Sequence, residues 1–361
     1  MGSKFRSSVV FVLKVTLIVR NRMKNIGLFA TLIFLLAPYR LSAGLRFGTS
    51  RAVKATISDL EKQKNGESVQ SPQLSMILTF GSYGTANGKF DMNWGGSYPA
   101  VHFDGQYIHV TDPGNHRSQK FNSNGDFISW FGRKGGIFGS YNTGTPEACL
   151  QYWSGVLVDT NSNVWVNGWL PSGCGYPDVK GIFKFDSNGV LIGSITANVS
   201  AFSNFARNST GQIVAFVNDT NTLSIFDPNG SVLSTFGGSG TSDGKFDNNS
   251  TGGSVVIDSF DNIFVADWNN QRIQKFDTNG NFLSKWPISG SSWQSLSIDE
   301  TNHLYVFSYT DVTEYSPSGV RLNFYSYPAS GTCSPGSQIH IQSNRIYCTG
   351  LSNQVFILQK P

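Results

Sequence analysis

Five segments of this chain repeat one short pattern: an aromatic, a few polar residues, a turn pair and a second apolar run. They are KFNSNGDFISWF (Lys120–Phe131), KFDSNGVLIGSI (Lys184–Ile195), IFDPNGSVLSTF (Ile225–Phe236), KFDTNGNFLSKW (Lys275–Trp286) and EYSPSGVRLNFY (Glu314–Tyr325). Four of the five turns hold Asn-Gly, with Gly125, Gly189, Gly230 and Gly280 as the glycines. Asn-Gly supplies the positive φ angles that a two-residue β-hairpin needs. The repeated aromatics are Phe121, Phe185, Phe226, Phe276 and Tyr315, and Phe356 continues the series without its own hairpin. Their spacings are 64, 41, 50, 39 and 41 residues, a period typical of stacked or circular repeat folds.

A second hairpin precedes each of these. It alternates apolar and polar residues, as a strand with one buried face does. The segments are AVHFDGQYIHV (100–110), GVLVDTNSNVWV (155–166), FARNSTGQIVAF (205–216), SVVIDSFDNIFV (254–265) and SLSIDETNHLYV (295–306), with IHIQSNRIYC (339–348) in the sixth unit. FARNSTGQIVAF is the least regular. Two hairpins per period make a four-stranded unit, so the expected fold is all-β: a six-bladed β-propeller of four-stranded blades over residues 74–361. Composition agrees, because 14% charged residues, 13% aromatics and 39 glycines disfavour long helices and favour strands with tight turns. A seventh blade needs an unseen repeat inside the long second unit. SMILTFG (Ser75–Gly81) matches VLSTFG (Val232–Gly237), a fourth strand. Residues 74–80 are therefore expected to complete the last blade, joining the chain ends and hiding edge strands.

Residues 1–43 carry seven basic residues and no acidic one. Ile26–Ala37 is an uninterrupted apolar run between Lys24 and the small pair Ser42-Ala43, the form of a secretory signal. At twelve residues it is too short to span a bilayer. Met23, just before Lys24, is an alternative start. The expectation is a signal peptide over 1–43, a polar linker over 44–73, and a secreted or periplasmic, monomeric product without a stable membrane span. An uncleaved signal-anchor is the alternative. The net charge of +4 divides into +7 on residues 1–43, +2 on 44–73 and −5 on 74–361. The propeller is thus acidic, which argues against nucleic acid as its partner.

Asp112-Pro-Gly-Asn115-His116-Arg117-Ser-Gln-Lys-Phe121 and Asp267-Trp-Asn-Asn270-Gln271-Arg272-Ile-Gln-Lys-Phe276 share the pattern Asp-x-x-Asn-x-Arg-x-x-Lys-Phe. Each follows a similar FGxxGTxxGKFD stretch, Phe80–Asp91 and Phe236–Asp247. On these residues the chain resembles the NHL-repeat family of β-propellers. Units 2, 3, 5 and 6 lack the Asp…Arg motif and are identified by strand pattern alone. The resemblance implies a recognition module for a protein or other ligand. Some NHL-type propellers are lyases that hold zinc through histidines just before the inner strands. The matching positions here are Pro99, Ser154, Ser203, Gly253, Gln294 and Ser337, none of them histidine, so that activity does not carry over. No cofactor is expected.

In such a fold the loop leading into a blade and the loop between its second and third strands share a face. Cys149 and Cys174 then occupy neighbouring loops of one blade, and Cys333 and Cys348 the equivalent region of another. The expected disulfides are Cys149–Cys174 and Cys333–Cys348. The pairs Asp112/Arg117 and Asp267/Arg272, with Asn115 and Asn270, are read as structural: the carboxylate accepts from turn amides or the guanidinium and fixes the loop. His102 and His340 hold the same place in the inner strands of neighbouring blades, the only metal-like coincidence. Two histidines without a third ligand make a poor zinc site. His303 falls in a turn and reads as solvated. Trp94, Trp153, Trp169, Trp268 and Trp293 fall in or beside loops of the cysteine-bearing face, and with His116 and Asn269 they are the candidate ligand contacts. The functional expectation is an exported, non-catalytic propeller that binds an extracytoplasmic protein, peptide or carbohydrate on that face. The alternative is a propeller enzyme, a lyase or hydrolase, with a metal in the central channel.

Overall fold

The computed structural model describes residues 71–92, 99–132, 151–170, 179–196, 202–247, 253–288, 295–329, 332–334, 338–350 and 352–361, with the backbone alone at 151–154 and 202–203. The signal segment expected over 1–43 lies outside the described residues, as does the linker up to residue 70. Trp94, Trp293, Cys149 and Cys174 lie outside them too, and so does the expected Cys149–Cys174 bridge.

Each pair of alternating segments folds as two hairpins, and the sheets are antiparallel and four-stranded. Blade 1 is β2 (Val101–Phe103), β3 (Ile108–Asp112), β4 (Arg117–Phe121) and β5 (Phe127–Gly132). Blade 2 is β6 (Gln151–Val158), β7 (Val164–Leu170), β8 (Val179–Phe185) and β9 (Leu191–Thr196). Blade 3 is β10 (Phe202–Arg207), β11 (Ile213–Val217), β12 (Thr222–Phe226) and β13 (Val232–Gly237), so the irregular FARNSTGQIVAF is a hairpin as expected. Blade 4 is β14 (Val255–Ile257), β15 (Ile263–Asp267), β16 (Arg272–Phe276) and β17 (Phe282–Pro287). Blade 5 is β18 (Ser295–Ile298), β19 (Leu304–Phe307), β20 (Asp311–Tyr315) and β21 (Arg321–Ser326). The sixth sheet runs β22 (His340–Gln342), β23 (Arg345–Gly350), β24 (Gln354–Gln359) and then β1 (Ser75–Phe80), which pairs with β24. The molecule is a six-bladed β-propeller.

Six buried apolar clusters hold the blades together, one at each junction. Phe276 and Val265 of blade 4, for example, pack on Phe216 and Ile225 of blade 3. Burying one such side chain contributes about 1.5–3 kcal/mol, so the junctions carry most of the stability.

The Asn-Gly turns are wider than two residues. In each the glycine alone takes a positive φ. At Asp277–Asn281, Gly280 N–H donates to Asp277 O and Asp277 N–H to Asn281 O, a four-residue turn followed by a glycine bulge. The Asp277 carboxylate prefers this geometry because it accepts from the amides of Asn279 and Asn281 at 2.9 Å. The glycine is doubly constrained. A Cβ on Gly280 (φ +87°) would lie 2.6 Å from Cε1 and 2.8 Å from Cγ of Phe236, the last aromatic of the preceding blade. Gly125, Gly189 and Gly319 press in the same way on Phe80, Phe131 and Trp286.

The register corrects one repeat assignment. Phe121, Phe185, Phe226, Phe276 and Tyr315 each face the first apolar residue of their second strand, as in Ile263↔Phe276 and Leu304↔Tyr315. In the sixth sheet that place belongs to Leu358, opposite Ile346, whereas Phe356 faces Cys348. No following turn fixes the register of β24, so the spacing of aromatics misplaces it by two residues. Among the described residues no helix is long and apolar enough to cross a membrane.

Candidate functional site

The two motif blades present the same built-in loop clamp. Asp112 is fully buried, and its Oδ1 accepts from Asp91 N at 2.7 Å while Oδ2 accepts from Arg117 Nε at 2.8 Å. Asn115 and Gln119 donate to the same carboxylate. Arg117 Nη2 then reaches Ala86 O and Lys89 O, both at 2.8 Å, and Asn115 Nδ2 reaches Gly84 O at 2.9 Å. Blade 4 repeats the set with Asp267, Arg272, Asn270 and Gln274 on Ser242, Lys245 and Gly240. A buried ion pair is tolerable when its remaining donors and acceptors find partners; here the loop carbonyls take up Arg117 Nη2, while Nη1 is buried without a partner among the described residues. Gln119 and Gln274 belong to the motif as well, although the sequence pattern passed over them. The shared Gln-Lys-Phe was the available signal.

Loops on this upper face are therefore pre-shaped. Tyr83 stands on the blade 1 loop at 72% exposure, held by backbone bonds of its neighbours to Phe90. Asn269 is exposed and donates through N and Nδ2 to Asp247 at 3.1 Å. Trp169 is half-buried at the upper end of β7, opposite Lys180. Two other expected contacts point inward. His116 follows the 3-10 turn in a left-handed conformation (φ 52°) and is buried. Trp268 is 6% exposed and packs with Ile273, Trp286 and Leu296 at the junction of blades 4 and 5. Of Trp153 the backbone alone is described.

The inner strands line the channel in register. Phe103, Val158, Arg207, Ile257, Ile298 and Ile341 are equivalent, each opposite the first residue of the second-strand core. One residue earlier lie His102, Leu157, Ala206, Val256, Ser297 and His340. The two imidazoles are neighbours, with ring centroids 4.5 Å apart. Burial pushes His340 down to about 4, and burial together with His340 lowers His102, so both rings are neutral at pH 7. The other four members of that ring offer no imidazole, thiolate or carboxylate, so the donor set does not fit a zinc ion.

Two residues higher the equivalent positions read Ala100, Gly155, Asn204, Ser254, Ser295 and Gln338. This level carries amides and hydroxyls and no charge. Gln338 Oε1 accepts from Val156 N at 2.9 Å, and Ser254 Oγ from Leu296 N at 3.0 Å. Asn204 Oδ1 and Ser295 Oγ are buried without a partner among the described residues.

A third cluster, on the opposite lower face, escaped the sequence reading. Asp299, His303 and Glu314 bring one ligand atom each within 4.8 Å of one another. His303 is not a free turn residue, since its Nδ1 lies 2.7 Å from Glu314 Oε1. Tyr305 OH sits 2.8 Å from Asp299 Oδ2 and 2.9 Å from Glu314 Oε1, and Asn323 and Tyr325 donate to Glu314 Oε2 at 2.7 Å. Despite burial these bonds hold both carboxyls below their ordinary range. Cys333 and Cys348 form a disulfide, as expected.

The sequence matches no family model and no curated protein sequence. Among solved structures it is similar in fold to selenomethionine-substituted virginiamycin B lyase from Staphylococcus aureus, at TM-score 0.52 and 10% identity over 80% of this chain and 100% of that one. A catalytically inactive histidine-to-alanine variant of virginiamycin B lyase from the same organism, with quinupristin, gives TM-score 0.51 and 10% identity over 80% and 99%.

Proposed function

We propose that this chain is an exported, NHL-type propeller that binds an uncharged, hydrogen-bonding partner, a peptide, carbohydrate or protein segment, at the upper mouth of its channel. The carrying observation is the neutral polar level formed by Asn204, Ser254, Ser295 and Gln338 beneath loops that two buried ion pairs make rigid. Buried polar atoms without a partner among the described residues, such as Asn204 Oδ1 and Ser295 Oγ, cost free energy that a hydrogen-bonding ligand recovers. Tyr83 and Trp169 supply flat aromatic area at the rim, suited to a sugar face or an amide plane. The pre-shaped loops lower the ordering cost of association. Export is supported by the Cys333–Cys348 bridge, since disulfides persist in oxidising compartments. The two Asp…Arg modules support the NHL-type reading.

The test is titration calorimetry of the purified full chain against a panel of neutral oligosaccharides and short peptides. For any ligand found, Trp169→Ala and Ser295→Val should each weaken binding about tenfold or more, the scale of one lost stacking or buried polar contact. Undiminished affinity in both variants defeats the proposal. Consumption of quinupristin, or a stoichiometric metal in the purified chain, favours instead the enzyme reading, a lyase or hydrolase with a metal in the channel.

A further inference from the structure

In three blades the last lysine of the third strand caps an aromatic ring on the lower face. Lys120 Nζ lies 3.7 Å from the Tyr107 ring centroid, and Lys184 and Lys275 lie 4.9 Å from those of Trp165 and Phe264. In blade 4 the cation also answers the turn aspartate beside the ring: Lys275 Nζ is 3.7 Å from Asp258 Oδ2. Blade 5 keeps the aspartate, Asp299, and the ring, Tyr305. Its register Tyr305↔Glu314 matches Trp165↔Lys184 and Phe264↔Lys275, so an acid stands where the lysine stands elsewhere. Two neighbouring carboxylates without a cation repel each other.

The missing charge comes from blade 6. Lys360 follows β24, and its backbone is pinned there: Lys360 N donates to Asn344 O at 3.0 Å and Asn344 Nδ2 to Lys360 O at 2.9 Å. Its side chain crosses to blade 5. Nζ lies 4.5 Å from the Tyr305 centroid, donates to Tyr305 OH at 2.5 Å and stands 3.9 Å from Asp299 Oδ2. The pairing of a ring with an ammonium seen in blades 2 and 4 is thus kept, with a lysine from the neighbouring blade that bonds the ring hydroxyl.

We infer that blade 5 contains a cation site and that its occupant is the Lys360 ammonium, supplied by blade 6 in exchange for the lysine that Glu314 replaces. A divalent metal on Asp299, His303 and Glu314 is the rival occupant. Both Glu314 oxygens are already hydrogen-bonded, Oε1 to His303 Nδ1 and Oε2 to Asn323 and Tyr325, and the single Tyr305 proton is shared between Glu314 Oε1 and Asp299 Oδ2. The ammonium fits that frame as it stands, whereas a metal has to turn these donors away. The site ties blade 5 to blade 6 where β24 ends.

Thermal unfolding of the full-length protein and four variants tests this. Lys360→Met should lower the midpoint by about 3–6 °C, the shift expected for losing one partner of a mostly buried charge cluster in a domain of this size. Lys360→Arg should lose less than half of that. In a double-mutant cycle, Lys360→Met should cost less in a Glu314→Gln background, because one of the two acids is then neutral. A Lys360→Met midpoint equal to wild type overturns the inference. So does a wild-type midpoint that rises with added Zn²⁺ or Mn²⁺ and loses that rise in Glu314→Gln, since a metal is then the occupant.

Discussion

Gly280→Ala isolates how one blade is seated on the next. The substitution has two separable costs. A φ of +87° is reached readily by glycine alone, and a residue with Cβ pays about 1–2 kcal/mol there. The new methyl also meets the Phe236 ring, with three ring carbons inside contact distance. That ring cannot retreat, because it packs tilted against Phe276, centroids 5.1 Å apart, in the junction of blades 3 and 4. Overpacking of this kind costs about 1–3 kcal/mol. The alanine also restricts the unfolded chain, which returns about 0.4–1 kcal/mol. The expected net loss is about 2–4 kcal/mol. Gly244→Ala is the internal control: φ is +77°, yet nothing lies within 4 Å of the added Cβ, so it pays the backbone part alone, about 0–1.5 kcal/mol. Urea unfolding followed by tryptophan fluorescence reads both, provided the m-values agree. Adding Phe236→Ala should shrink the Gly280→Ala cost to that of Gly244→Ala. Equal costs for the two glycines in the wild-type background, or a Gly280 cost unchanged by Phe236→Ala, refute the reasoning.

Arg117→Lys should cost about 3–5 kcal/mol, because Lys cannot serve Asp112, Ala86 and Lys89 together, and the unfolding midpoint in urea reads the loss directly. Reduction, or Cys333→Ser with Cys348→Ser, should remove about 3 kcal/mol, the chain-entropy value for a 15-residue loop; an unchanged melting curve counts against the bridge. Stability should fall as the pH drops from 6.5 towards 4, since the unfolded chain protonates His340 at its ordinary value and the folded chain only near 4. His340→Gln should make that stretch shallower, with the remainder due to His102, which burial also lowers. It should leave the steeper loss below about pH 4, where Asp159, Asp299 and Glu314, all held low in the folded state, give up their hydrogen-bonded charged forms.

What could be read in advance follows from which interactions are local. The hairpins were legible because a turn aspartate or asparagine, a glycine and period-two alternation are all encoded within a dozen residues, as at Lys275–Trp286. The Asp…Arg module was legible as a pattern, and its structural character followed from pairing an acid with a base five residues on. The fate of individual loop residues was not. His116 and Gln271 hold the same place in the two motifs, with φ of 52° and 50°, yet one is buried and the other exposed, so neither the pattern nor the turn backbone decides which side chain is covered. The Glu314 site was invisible for a different reason. Its acid shows in the sequence as Glu-Tyr where Lys-Phe is usual, but its meaning depends on Lys360, which only the docking of blade 6 brings to Tyr305.

The pairing of β1 with β24 has a mechanical consequence. The strands run antiparallel, with Ser75 opposite Gln359, so residues 71 and 361 leave the pair from the same end. Tension between those two points peels the pair open one rung at a time, beginning at Gln359, instead of loading every rung together in shear. The first links to feel it are the Lys360 bonds to Asn344 and Tyr305 on one side and the backbone bonds of Pro72 and Leu74 to Ser326 on the other. A ring whose junctions are individually strong thus has one seam along which it yields in small steps, and the ammonium of Lys360 stands at its starting point.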